Sequence, residues 1–182
     1  MKTLTTDRLV LRPERPEDAE IFWRELGCNE EITRYTGWNP YFSLEAARGK
    51  IAEDIRGMEQ GECFSWVIER ADAPAGEQII GSFGAFGIDR DVMSIEIGCS
   101  IFRNAWGQGF ATEAAAAAVR YLLIEAGFNR VHAWCHADNT GSRTVQERAG
   151  LRQEGLLRQN LRNPDGSLSD QLLFGILRSD LE

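Results

Sequence analysis

The sequence has almost no lysine: Lys2 and Lys50 are the only two, so 18 of its 20 bases are arginine. Against 28 acids they leave a net charge of −8. General nucleic-acid binding draws its affinity from clustered Lys and Arg on phosphates, so this balance argues against nucleic acid as a partner. The arginines between Arg143 and Arg162 gather in the C-terminal third and read first as a solvated charged face. There is no run of 18 apolar residues and no basic-then-apolar start, so neither a membrane span nor a secretory leader is expected. No Cys-x-x-Cys occurs. Cys28, Cys63, Cys99 and Cys135 lie about 35 residues apart with no His at ligand spacing, which argues against a metal. Each sits in an apolar or strand-like setting, so buried free thiols in a cytoplasmic, reducing compartment are expected.

What the chain does contain reads as one α/β domain over 1–182, ordinary in its 43% apolar and 26% charged residues. Residues 7–12 alternate as a first strand. Pro16 opens an amphipathic helix over 16–26, with Ala19, Phe22, Trp23 and Leu26 at helical spacing and a stop near Gly27. An aromatic group follows (Tyr35, Trp38, Tyr41, Phe42), and Ser43 caps a second helix to about Met58. Residues 63–69 and 78–88 read as strands. In the second, Gly81, Gly84 and Gly87 recur every third residue, through close backbone packing or, alternatively, a bulge. Residues 93–102 form the next strand, with Met93, Ile95, Ile97, Cys99 and Ile101 on one face. The Ala-rich stretch from Gly109 to a stop at Gly127 is a helix, and 130–136 a strand. A short helix capped by Asp138 or Asn139 ends at Gly150. Residues 151–161 and 168–177 then make a hairpin around Asn163-Pro-Asp-Gly166.

The most informative stretch runs from Ile95 to Ala114, where a strand passes through Trp106-Gly-Gln-Gly-Phe-Ala111 into a helix start. Backbone N–H groups there converge with the positive end of a helix dipole, and glycines let an anion approach closely. A plain tight turn is the alternative. The turn is no dinucleotide fingerprint, because Thr112 stands where a third Gly is needed, and no P-loop, because no Gly-Lys-Ser/Thr follows. It resembles the acyl-CoA motif Gln/Arg-x-x-Gly-x-Gly/Ala of the GNAT N-acetyltransferases, with Trp106, Gly109 and Ala111 at its fixed places. Trp106 departs from the usual Gln/Arg but looks like the subgroup that acetylates ribosomal-protein N-termini. Asn139-x-x-Ser142, then Glu147-Arg-x-Gly-Leu151, is similar to a second family segment in the right order.

The resemblance spans residues 7–180 and implies a GNAT fold, with a mixed, mostly antiparallel, splayed sheet flanked by about four helices. It implies acetyl-CoA as co-substrate and a primary amine as acceptor, preferably a protein N-terminal α-amine attacking directly in a ternary complex. A small amine, amino acid or antibiotic is the alternative acceptor, and a non-catalytic acyl-CoA-binding module the alternative class. Gly107, Gln108, Gly109, Phe110, Ala111 and Thr112 would hold the pyrophosphate, Cys99 and Ile101 the pantetheine arm through their backbones, and Asn139 an amide of that arm or simply the helix cap. Arg103 and Arg143 are further candidates for the phosphates. Glu96, a carboxylate on a polar mid-sheet face, is the candidate base, with a structural salt bridge to an arginine as the alternative. Ser142 is the candidate acid, or else a helix-start hydroxyl; family members often carry a Tyr in this helix, which is lacking here. His132 and His136 alternate on one strand face without a ligand set. The aromatic group at 35–42 and the final hairpin are expected to wall the acceptor pocket. A homodimer stays open.

Overall fold

The computed structural model describes the chain apart from Cys28, residues 36–42, Ala75, Pro164 and Glu182; of Glu30 and Thr33 it describes the backbone alone. Trp38, Tyr41 and Phe42 of the aromatic group, and Cys28, therefore lie outside the described residues.

Eight strands form one sheet: β1 (Leu4–Thr5), β2 (Leu9–Pro13), β3 (Phe64–Arg70), β4 (Ile79–Asp89), β5 (Ser94–Ile101), β6 (Arg130–His136), β7 (Arg152–Arg162) and β8 (Leu168–Leu177). Their spatial order is β1-β2-β3-β4-β5-β6-β8-β7. Every pair is antiparallel except β5 and β6, which the Ala-rich helix α4 (Phe110–Arg120, continued by a π turn at Tyr121–Glu125) connects. A parallel pair needs such a crossover, and this one places the cofactor-type turn at the end of a central strand.

The alternation of side chains divides the core between the two faces. Trp66, Ile68, Phe83, Ala85, Ile95, Ile97 and Val131 pack beneath α4, whose Ala114, Ala115, Ala118 and Val119 are buried. Small alanines let the helix lie close to the sheet. On the opposite face Val67 and Phe102 meet α1 (Ala19–Phe22, within a helical run over 16–27) and α3 (Leu44–Gln60) through Phe22, Leu26, Ala47 and Ile51. Of the two, α3 carries the expected Ser43 cap and runs past the expected end near Met58 to Gln60. Ser43 Oγ accepts the Ala46 N–H at 3.1 Å, and Gly61 closes α3 at φ +69°. A further single turn, α2 (Glu30–Thr33), and β1 add to the elements expected from the sequence. The short α5 (Thr140–Arg148) follows β6.

Both accounts of the β4 glycines hold, at different positions. A Cβ at Gly81 would sit 2.1 Å from the Ser100 carbonyl oxygen, so close backbone approach explains that one. Gly87 lies at φ +63° inside the register shift between Phe86 and Asp89, which is the bulge. Two expectations fail at β5. Met93 is not on its apolar face: it precedes the strand at φ +53°, is exposed, and uses its carbonyl to receive the Asn129 and Arg130 N–H groups. Cys99 is not buried. It is exposed and Cys63 is half-buried, leaving Cys135 as the buried thiol among the described cysteines.

Candidate active site

The open strand edge at Cys99 is the central feature of the site. β5 and β6 pair only from Ser94↔Arg130 to Glu96↔His132, after which they diverge. The β6-facing edge of β5 from Ile97 to Ile101 thus has no neighbouring strand, and an extended ligand can reach the backbone there, at Cys99 and Ile101. Protein nonetheless crowds the Cys99 thiol and pushes its pKa up to about 12, so it is accessible but held as the neutral thiol.

Beyond β5 the Trp106 indole N–H donates to the Ile101 carbonyl at 2.7 Å, which ties the turn to the strand end. Gly107 (φ +74°) and Gly109 (φ +82°) both adopt the left-handed conformation that glycine tolerates. Gly109 is the N-cap of α4, and the Glu113 N–H makes the first turn's bond to its carbonyl at 3.1 Å. The N–H groups of Phe110, Ala111 and Thr112 therefore lack intrahelical acceptors. A Cβ at Gly107 would meet nothing within 4 Å, and one at Gly109 only Arg8 Nη2 at 3.5 Å. Open space, orphan amides and a helix dipole suit the linked phosphates of a coenzyme.

Arg8 went unnoticed in the sequence. Its guanidinium donates to the Gln108 carbonyl at 3.1 Å and to Glu113 at 2.7 Å, and stacks 4.7 Å from the Phe110 ring. It braces the turn from a hundred residues away, which no local pattern reveals. Arg103 and Arg143, by contrast, are paired with Glu31 and Glu147 at 2.7 and 3.0 Å, with Arg103 stacked over Trp106.

Glu96 sits at the fork itself, its side chain 31% exposed. No arginine anchors it among the described residues. Its nearest titratable neighbour is His132, with Oε2 3.9 Å from Nε2, and burial raises the Glu96 pKa. On the β4 side its partner is Phe86, whose ring lies over Gly84 and Gly98. His132, Trp134 and His136 share this face of β6 by alternation. Tyr35 packs its ring 5.0 Å from that of His136, so the segment leading into the aromatic group does reach the site. Across β8, Gln171, Leu173 and Gly175 are the register partners on the same face.

Asn139 caps α5: its Oδ1 accepts the Ser142 N–H at 3.0 Å. The Ser142 hydroxyl bonds the thiol of Cys135, whose pKa burial raises and this bond lowers. Cys135 belongs to the α4 face of β6 and Glu96 to the other. The two candidate catalytic groups therefore lie on opposite faces of the sheet, joined only through the gap between β5 and β6. Among the described residues no three His, Cys, Asp or Glu side chains gather at metal-binding distance.

Residues 8–152 match the family model described as the acetyltransferase (GNAT) domain. The chain belongs to the GNAT acetyltransferases. As a GNAT it is an N-acetyltransferase with acetyl-CoA as co-substrate and an amine as acceptor. It is 31% identical to the uncharacterized N-acetyltransferase p20 of Bacillus licheniformis, over 99% of this chain and 98% of the relative. The GNAT fold is shared with RimL, a ribosomal L7/L12 α-N-protein acetyltransferase solved with coenzyme A: TM-score 0.87, 18% identity, 97% of this chain and 98% of that one. Mycobacterium smegmatis RimJ is similar at TM-score 0.85 and 24% identity, covering 99% of this chain and 88% of its own.

Proposed function

We propose that this GNAT acetylates the N-terminal α-amino group of a protein, by direct attack within a complex holding both substrates. The observation that carries the reading is Glu96 at the fork of β5 and β6, free of any arginine and half-exposed beside an open strand edge. Acetyl-CoA supplies an activated acetyl thioester. Glu96, through a water, takes the amine's proton, and burial has already moved its pKa toward the working range. An α-amine, with a pKa of about 7.7–8.0, asks little of such a base, whereas a lysine amine at about 10.4 asks far more.

Gly107 to Thr112 hold the pyrophosphate through their amides, the Cys99–Ile101 edge pairs with the pantetheine arm, and Asn139 contributes an amide contact beyond its cap. The Ser142 hydroxyl serves as the acid for the departing sulfur from the far side of the gap. The open surface of the β7–β8 hairpin at Leu157, Arg158, Gln159, Asn160 and Asp170 leaves room for a macromolecular acceptor. There Gln159 bulges at φ +52°, and Asp170 receives its N–H at 2.8 Å. RimL's stated action on a ribosomal protein points the same way.

The test is thiol release from acetyl-CoA with three acceptor sets: peptides with a free N-terminus, the same peptides blocked but containing lysine, and small amines. Turnover with the first set, abolished by blocking, is expected. Turnover confined to either of the others overturns the α-amine reading.

A further inference from the structure

An ammonium acceptor loses two protons in becoming an amide. One ends on the sulfur of the departing thiol and the other in solvent. A lone carboxylate must discharge the first before it can receive the second, and Glu96 is not alone. His132 lies directly across from it at the last paired position of β5 and β6, with Nε2 3.9 Å from Oε2. That separation is too long for a direct hydrogen bond, and a small side-chain rotation or one water spans it. Nδ1 is buried and makes no regular hydrogen bond, so Nε2 is the atom that exchanges with the site.

We propose that His132 is the proton-relay partner of Glu96. Glu96 accepts the first proton of the acceptor ammonium and passes it to Nε2 of His132, which regenerates the carboxylate for the second. The imidazolium returns its proton to solvent after transfer, and the second proton leaves Glu96 through water in the gap between β5 and β6 for Ser142, which has given its own to the departing sulfur. No electron moves, and the proton count closes. His132 acts through Glu96 and touches neither substrate, so it is a positioning residue, and its role rests on the reading of Glu96 as base.

The surroundings favour the exchange. The charged groups facing His132 are Glu96 from β5, Arg130 from its own strand and Glu154 from β7; His136, farther along the same face, stacks on Tyr35. Glu154 reaches across β8 at Gly175, the register partner of His132, where a Cβ would collide with both Glu154 and Arg130. Arg130 and Glu154 are salt-bridged there, so they nearly cancel. Burial, then Arg130, lower the pKa of His132, while burial raises that of Glu96. A carboxyl and an imidazole ordinarily differ by about 2 units. Opposite shifts narrow that gap and bring proton passage closer to thermoneutral.

The experiment is a double-mutant cycle of Glu96→Gln and His132→Gln, read as kcat against pH and as acetyl-CoA affinity by calorimetry, with melting points alongside. His132→Gln should lower kcat about tenfold or more with cofactor affinity unchanged. The acid limb of its log kcat profile should be about one unit less steep than in the wild type, because one proton has left the coupled pair. In the double variant, His132→Gln should add nothing to the loss from Glu96→Gln. A full additive loss, or a wild-type pH profile in His132→Gln, overturns the relay while leaving Glu96 as base. Normal kcat in Glu96→Gln overturns both readings.

Discussion

Glu14 lies just beyond β2 at 9% exposure, and its Oε2 has no hydrogen-bond partner. Burial first, then the charge of Asp54 on α3, raise its pKa from 4.5 to about 7, against a bond from Ser65 and the charge of Lys50. Because the folded value exceeds the unfolded one, the native state binds more protons between these limits. Stability therefore falls as pH rises from 4.5 to about 7. A shift of this size corresponds to about 3 kcal/mol held against the ionised fold at pH 8. Glu14→Gln removes the charge but leaves an unpaired amide, which costs about 1 kcal/mol. The variant should thus be about 2 kcal/mol more stable than wild type at pH 8, a gain of about 4–8 °C in melting temperature. Near pH 4.5 the gain should reverse, leaving the variant less stable by up to about 1 kcal/mol, the cost of the unpaired amide. Calorimetric melting of both proteins from pH 4.5 to 8 measures the difference, in which the other carboxylates cancel. A difference that is flat with pH, or a variant less stable at pH 8, refutes the reasoning.

Three further outcomes concern the site. Gly109→Val should weaken acetyl-CoA binding about 10²-fold or more in calorimetry, by blocking charge-assisted bonds to two or more amides. Gly107→Ala, whose Cβ enters open space, isolates the dihedral strain, and equal losses in both variants would sink the pyrophosphate assignment. Ser142→Ala should lower kcat more than cofactor affinity if the hydroxyl is the acid; unchanged kcat returns Ser142 to its place in the first turn of α5, bonded to Cys135. Glu96→Gln should cost about 10²–10⁴-fold in kcat at neutral pH, less as pH rises and less for an α-amine than for a lysine-like amine. A deficit flat with pH and amine basicity, accompanied by a fall in melting point, would falsify the base assignment.

The order of elements was written in local chemistry. Alternation marked the seven longer strands, and Ser43, Gly127, Asn139 and Gly150 marked helix ends, because caps and pleats act over a few residues. The cofactor turn was legible for the same reason: its amides, glycines and helix start are contiguous. Tertiary structure decided what depends on packing between elements. Cys99 and Ile97 share one face of β5 by alternation and both lie past the last β5–β6 pair, yet Ile97 is buried and Cys99 exposed, a difference set by what packs over each and not by periodicity. Arg8 reaches the turn only once β2 lies beside α4. His132 had no ligand set in the sequence, and its carboxylate neighbour is 36 positions away, supplied by the register of one parallel pair. Face periodicity follows from a single strand, whereas exposure depends on what packs over each residue and pairing on where the two central strands stop sharing hydrogen bonds.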